Sequence, residues 1–148
     1  MARFGHHLGL MWNLGEENTN SAPQRSSFAS YINALDPYLH PMAVHTFPDD
    51  RDAVFGRLIG HPLIGAASLQ IASAGNVHAE TLKWVKKSAA SGQKWVVAVD
   101  ELGPAGVGAV PDAYDPSHSN IVHRVLWGTL MAGGAGSGVV FRLQLREP

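Results

Sequence analysis

Apolar residues fall along this chain in short runs, and each run stops at a cluster of polar residues, glycine or proline. Residues 8–12, Leu-Gly-Leu-Met-Trp, predict a short buried strand, and the Asn-Leu-Gly-Glu-Glu-Asn-Thr-Asn that follows predicts a polar loop. Phe28, Tyr31, Ile32, Leu35 and Leu39 then recur at helical spacing behind a serine-rich start. Residues 26–39 therefore predict an amphipathic helix with that stripe buried and Pro37 near its end. A second apolar run at 41–47 ends in Pro-Asp-Asp-Arg-Asp, and a short segment follows around Val54, Phe55 and Leu58. A third run lies within 63–73, and residues 77–90 predict a helix with Leu82, Trp84 and Val85 buried, closed by Gly92. Residues 94–99, Lys-Trp-Val-Val-Ala-Val, make the clearest strand pattern, since continuous β-branched runs mark strands covered on both faces. That strand stops at Asp100. A Gly/Pro/Asp-rich loop at 106–119 precedes a helical pattern at 121–130, carrying Val122, Val125 and Leu126, which feeds a final strand after Gly136.

Strand and helix thus alternate in units of about 30 residues, as in a β/α array. No hairpin signal interrupts them. Such alternation fits an open doubly wound sheet or part of a closed barrel. Gly133, Gly134 and Gly136 match neither G-x-G-x-x-G after an early strand nor the Walker pattern, so tight backbone packing or a flexible end is their expected role.

With 148 residues, 45% hydrophobic content and a net charge of -1, the chain has the composition of one globular domain. Its 11 basic and 12 acidic residues include no basic run, which argues against a nucleic-acid partner. No apolar stretch reaches the roughly 18–20 residues that span a bilayer. The start Met-Ala-Arg-Phe-Gly-His-His lacks a signal pattern, so no membrane partner is expected and the chain as written is expected to remain in the cytoplasm. Cysteine is absent, which excludes disulfides, thiolate zinc sites and a cysteine nucleophile.

Two acids follow apolar strands closely: Glu17 in Gly-Glu-Glu-Asn, and Glu101 in Val-Asp-Glu-Leu-Gly. Strand ends are where barrels keep their sites, and retaining glycosidases need two carboxyls about 5 Å apart. A solvated loop acid, or an acid complementing a helix N-terminus, is the alternative for each. Among His6, His7, His40, His45 and His61 no pair has the i, i+4 spacing of H-E-x-x-H. Asp49, Asp50 and Asp52 lack the Gly and terminal Glu of an EF-hand loop and read as a helix N-terminus. No metal and no other cofactor is therefore expected. The Gly-x-Ser-x-Gly elbow of α/β hydrolases is also missing.

The run Trp12-Asn-Leu-Gly-Glu-Glu-Asn18 resembles the fourth-strand end of clan A glycoside hydrolases, where the acid/base Glu sits, often after Asn. Trp95-Val-Val-Ala-Val-Asp-Glu101 resembles their seventh-strand end, where the nucleophile Glu sits. Glu101 lies 84 positions after Glu17, three β/α units at about 28 residues each. Gly15-Glu-Glu-Asn-Thr19, His40-Pro41, His45-Thr-Phe-Pro48, Asp100-Glu-Leu-Gly103 and Trp127-Gly-Thr-Leu-Met-Ala-Gly-Gly-Ala-Gly136 resemble, more closely, bacterial glycosidases with a DUF5060-type N-terminal domain and a collagen-binding-like C-terminal domain. The resemblance implies a partial (β/α)8 TIM barrel, approximately strands 4 to 8, from a retaining hydrolase that cleaves O-glycosidic bonds by a two-carboxylate double displacement. It implies Glu17 as acid/base, although Gly15-Glu16 stands where Asn commonly precedes, and Glu101 as nucleophile. Glu16, Asn18, His45, Asp100 and Trp127 are then sugar contacts or groups that tune the pair, with loop hydrogen bonding or core packing as the alternative for each. The implied partner is an oligo- or polysaccharide.

After Gly136 the resemblance stops, where related sequences continue with Glu-Trp-Tyr-Phe-Gly. Synonymous codons for Gly138 to Glu147, read one base over, spell Glu-Trp-Tyr-Phe-Gly-Tyr-Asn-Tyr-Ala, so residues 137–148 are expected to be an out-of-frame tail behind a barrel domain at 1–136. Met1 falls just before what resembles strand four, so strands one to three are expected to be missing, and with them substrate loops that catalysis requires, which leaves both an active fragment and an inactive remnant open. An open half-barrel exposes two sheet edges and an uncovered apolar interior face, which invites a homodimer through the open edges; the alternative reading is a non-catalytic half-barrel that binds carbohydrate or self-associates. The resemblance implies a secreted or periplasmic parent enzyme.

Overall fold

The computed structural model describes residues 3–17, 19–103 and 113–138. In chain order its elements are β1 (Trp12–Asn13), α1 (Ala22–Leu35), β2 (Met42–Thr46), α2 (Arg51–Leu58), β3 (Ile64–Ile71), α3 (Val77–Ala90) and β4 (Val96–Leu102). A π-helical segment (Asn120–Leu126) then runs into α4 (Trp127–Met131) and β5 (Gly136–Ser137). The five strands form one sheet in the order β1-β2-β3-β4-β5, each neighbouring pair parallel. Strand order follows chain order, without the reversal that marks the switch point of a doubly wound sheet. The chain is α/β, a parallel sheet alternating with helices.

The two faces of the sheet differ in chemistry. Val44, Ala67, Leu69, Ile71, Val97 and Val99 pack in one apolar cluster with Phe55 and Leu58 of α2, Val77 and Trp84 of α3, and Val125. Phe55 is fully buried and meets Trp84 and Trp95 edge-on, with ring centroids 5.1 and 6.0 Å away. Because side chains alternate along a strand, Ala43, His45, Ala66, Ser68, Gln70, Ala98 and Glu101 share the opposite face.

Two register shifts set that alternation. Gly65 is passed over between the pairs Met42–Ile64 and Ala43–Ala66, and Asp100 between Leu69–Val99 and Gln70–Glu101. An uninterrupted β4 would set Asp100 opposite Gln70 and turn Glu101 toward the side of Val97 and Val99, into the apolar core. The bulge at Asp100 keeps Glu101 out of it.

Three elements differ from the periodicity. Of the first apolar run only Trp12 pairs as strand, joined by Asn13, with Trp12 N–H donating to the Pro41 carbonyl at 3.0 Å and Leu14 N–H to that of Ala43 at 3.0 Å. Pro41 has no N–H to extend the ladder, and Leu8 is left 93% exposed. α1 begins ahead of the serine-rich stretch, at a capping box: the Ser21 hydroxyl accepts the Gln24 N–H, and Gln24 Oε1 accepts the Ser21 N–H at 2.8 Å. Its buried side is Arg25, Ala29 and, in part, Ile32, whereas Phe28, Tyr31 and Leu35 lie open to solvent. Asp36, just past the helix, ties its C-terminal end to β1 through the Trp12 indole N–H. The helix expected at 121–130 is divided between π and α geometry, entered through Asp115, whose carboxylate accepts the Ser119 and Asn120 N–H groups. Part of the loop at 106–119, and residues 139–148 of the expected out-of-frame tail, lie outside the described residues.

Candidate active site

Parallel strands present their C-terminal ends along one edge of a sheet, and three acid-base side chains meet there. Glu17 comes from the loop after β1, His45 is the penultimate residue of β2, and Glu101 the penultimate residue of β4. One nitrogen or oxygen of each lies within 4.8 Å of the others.

Each is held by local structure. Asn13 Oδ1 accepts the Gly15 N–H at 3.2 Å, a side-chain turn that bends the chain directly after β1. Gly15 has φ 108°, and Glu17, with φ 39°, sits in the left-handed region at a cost of order 1 kcal/mol. His45 pairs in register with Ser68, which places its Nδ1 2.8 Å from the Ser68 hydroxyl. The imidazole is 3% exposed, and its Nε2 lies 3.6 Å from Glu101 Oε2 with no hydrogen-bond partner among the described residues. Glu101 stands opposite Gln70, itself buried, whose Oε1 also lacks a hydrogen-bond partner among the described residues. The Arg51 guanidinium donates to the Gln70 carbonyl at 2.6 Å and to Glu80 at 3.2 Å, bracing the end of β3 against α2 and α3.

β1 is pinned in turn by a buried carboxylate. Asp36 accepts the Trp12 indole N–H at 2.9 Å, the His40 and Tyr38 backbone N–H groups at 3.0 and 3.1 Å, and lies 2.7 Å from His40 Nδ1. His40 Nε2 is 2.9 Å from the carbonyl of His7, which extends the network to the N-terminal segment. Burial works to raise the Asp36 pKa, but these hydrogen bonds outweigh it and hold the carboxyl well below the usual carboxylate range. Asp36 thereby secures the strand from which the Glu17 loop departs.

Of the residues singled out from sequence, Glu17, His45 and Glu101 come together. Glu16 is exposed in the bend beside Glu17, and Asp100 is exposed in the β4 bulge. Asn18 lies outside the described residues. Trp127 is 47% exposed on α4, where it lines a groove in the helix layer with Ala74, His78, His123 and Met131, apart from the cluster. Ser68 and Gln70 were not anticipated. Their signal is present in the chain: two polar residues at alternate positions of an apolar run, both on one face of the strand. The Trp12 contact of the Asp36 network left no such trace, since Trp12 lies 24 residues from Asp36, whereas Asp36 and His40 are four residues apart and meet locally.

Two carboxyls this close can divide the labour of acid and nucleophile when one of them holds a proton. No family model matches the chain, and neither a curated protein nor a solved structure matches it. Among the described residues, no helix is long and apolar enough to cross a membrane.

Proposed function

We propose that the chain is the C-terminal part of a clan A (β/α)8-barrel glycoside hydrolase, approximately strands 4 to 8, that acts by retaining double displacement on an oligo- or polysaccharide. The observation that carries this reading is the approach of Glu17 and Glu101 oxygens to within 4.8 Å. Retaining enzymes hold their carboxyl groups about 5–5.5 Å apart and inverting enzymes about 6.5–9.5 Å, and an approach of single oxygens on this scale favours the shorter class. Sequential parallel strands with the acids at their C-terminal ends add support.

In the first step the Glu101 carboxylate attacks the anomeric carbon while the bond to the leaving oxygen breaks. Glu17 gives that oxygen its proton, and a glycosyl ester remains on Glu101. Glu17, now a carboxylate, then takes a proton from water, whose oxygen attacks the anomeric carbon and releases Glu101. His45 Nε2 flanks Glu101 Oε2 at 3.6 Å.

The test is covalent trapping with a panel of 2-deoxy-2-fluoroglycosyl fluorides, read by intact mass and peptide mapping. The expected result is a single glycosyl adduct on Glu101 that Glu101→Gln abolishes. Protein left unlabelled across the panel, or labelled elsewhere, would sink the reading. A second reading, a non-catalytic half-barrel that binds carbohydrate or self-associates, is favoured by the exposed Phe28, Tyr31 and Leu35 on α1. A dimer in sedimentation, with carbohydrate binding unchanged by Glu101→Gln, selects it.

A further inference from the structure

We infer that Glu17, His45 and Glu101 form a binding site for a divalent cation of the zinc class. The inference does not depend on glycoside cleavage, because its readout is cation binding.

The first ground is the imidazole. His45 is 3% exposed, and its Nε2 faces the acids without a hydrogen-bond partner among the described residues. Buried polar atoms without a partner are uncommon in folded proteins, and unlike the indole nitrogens of Trp84 and Trp95, which share that state, this one belongs to a metal-ligating side chain set beside two carboxylates. Ser68 Oγ, 2.8 Å from Nδ1, accepts the Nδ1 proton in the tautomer that leaves the Nε2 lone pair directed at Glu101. Metal-ligating histidines almost always carry such a partner on their other nitrogen.

The second ground is distance. Ligand atoms held at about 2.1 Å on a tetrahedron lie about 3.4 Å from one another. His45 Nε2 and Glu101 Oε2, at 3.6 Å, already stand close to that edge length. Glu17, within 4.8 Å, closes the triangle by a shift of little more than about 1 Å, which a glutamate on a loop accommodates by side-chain rotation.

Charge and donor type choose the ion. Two neighbouring carboxylates repel each other, and a divalent cation between them neutralises both. One imidazole nitrogen with two carboxylate oxygens suits zinc, whereas calcium takes six to eight oxygens and magnesium keeps an octahedral shell of waters. Three protein ligands leave the fourth position to water, as in open zinc sites. Gln70, with its buried Oε1 also lacking a partner among the described residues, borders the site from β3. Spacing along the sequence hides this set, since its members come from the loop after β1 and from two separate strands, β2 and β4.

The experiment titrates the full chain with zinc chloride by calorimetry and follows cobalt(II) loading by visible absorption. Both use a His6→Ala/His7→Ala background, because those adjacent imidazoles, 4.1 Å apart, would bind zinc themselves. One zinc per chain is expected, together with the visible band of four-coordinate cobalt. His45→Ala, Glu17→Gln and Glu101→Gln should each weaken binding at least tenfold, and Ser68→Ala about tenfold or more by releasing the imidazole. Glu16→Gln should leave it unchanged. Circular dichroism checks that each variant is folded; if His45→Ala is not, Glu101→Gln, isosteric and on a side chain 24% exposed, decides. Absence of zinc binding, or binding that Glu101→Gln leaves intact, overturns the site. A failed fluoroglycoside trap does not touch it, and a failed zinc titration leaves the hydrolase reading standing.

Discussion

The indole N–H of Trp12 reaches a carboxylate oxygen of Asp36 at 2.9 Å, and through that bond β1 is fastened to the turn that follows α1. Asp36→Ala leaves an indole, an imidazole and two backbone amides in a buried space without their acceptor. A clearly lower urea midpoint is expected, with a smaller drop for Asp36→Asn. The pH dependence follows from the depressed pKa. The stabilisation from Asp36 is fully present above the unfolded value of about 4 and is lost as pH falls below it toward the folded value. Urea midpoints measured down the acid range should therefore fall more steeply for the wild type than for Asp36→Ala, and parallel curves would contradict the network.

Gly134 has no room for a methyl group. A Cβ there would stand 2.6 Å from Thr129 Cγ2 and 2.8 Å from Thr81 Cγ2. Gly134→Ala should cost about 1–3 kcal/mol, measured by thermal melting, and Thr129→Ser with Thr81→Ser should recover part of the loss by removing both methyls. Unchanged stability of the single variant would mean that β5 is not seated against these threonines.

Phe55→Ala opens a void between Trp84 and Trp95, and its cost should be about 3–5 kcal/mol. Asp52→Asn removes an ion pair with Lys83 and Lys87 on the outer surface and should cost less than about 1 kcal/mol. The contrast, read in paired denaturation curves, tests whether the core cluster rather than the charged rim carries the stability.

If the glycosidase reading holds, Glu17→Gln should lower turnover of substrates with poor leaving groups by about 10²–10⁴-fold. Activated aryl glycosides, which need little protonation, should lose far less in the first step. Asp100→Asn and Glu16→Gln should leave turnover unchanged, because both side chains lie outside the cluster. Equal loss in Asp100→Asn would move the nucleophile assignment to that residue.

The strand-helix alternation was legible in the chain because each element has its own period, and α3 occupies Val77–Ala90, the span its apolar spacing predicts. What depends on neighbours was not. Phe28 and Tyr31 recur as a buried stripe should, yet they lie open to solvent while Arg25, Ala29 and in part Ile32 form the buried side. Leu8 belongs to an apolar run but has no strand partner beyond Pro41. Glu17 and Glu101 stood out by following strands, and His45 by resemblance. Ser68 and Gln70 share one face by their alternation along an apolar run, and the register between β2, β3 and β4 sets that face beside His45 and Glu101.

The bulge in β4 makes the site acid hereditary in an unusual sense. Loss of the Asp100 codon would return the strand to even pairing with a glutamate still opposite Gln70, and loss of the Glu101 codon would leave an aspartate there instead. Either deletion keeps Val97 and Val99 in the core and Leu102 opposite Ile71. The strand thus carries a spare acid, and a lineage can shorten the reach of this carboxyl by one carbon in a single genetic event without rebuilding the sheet around it.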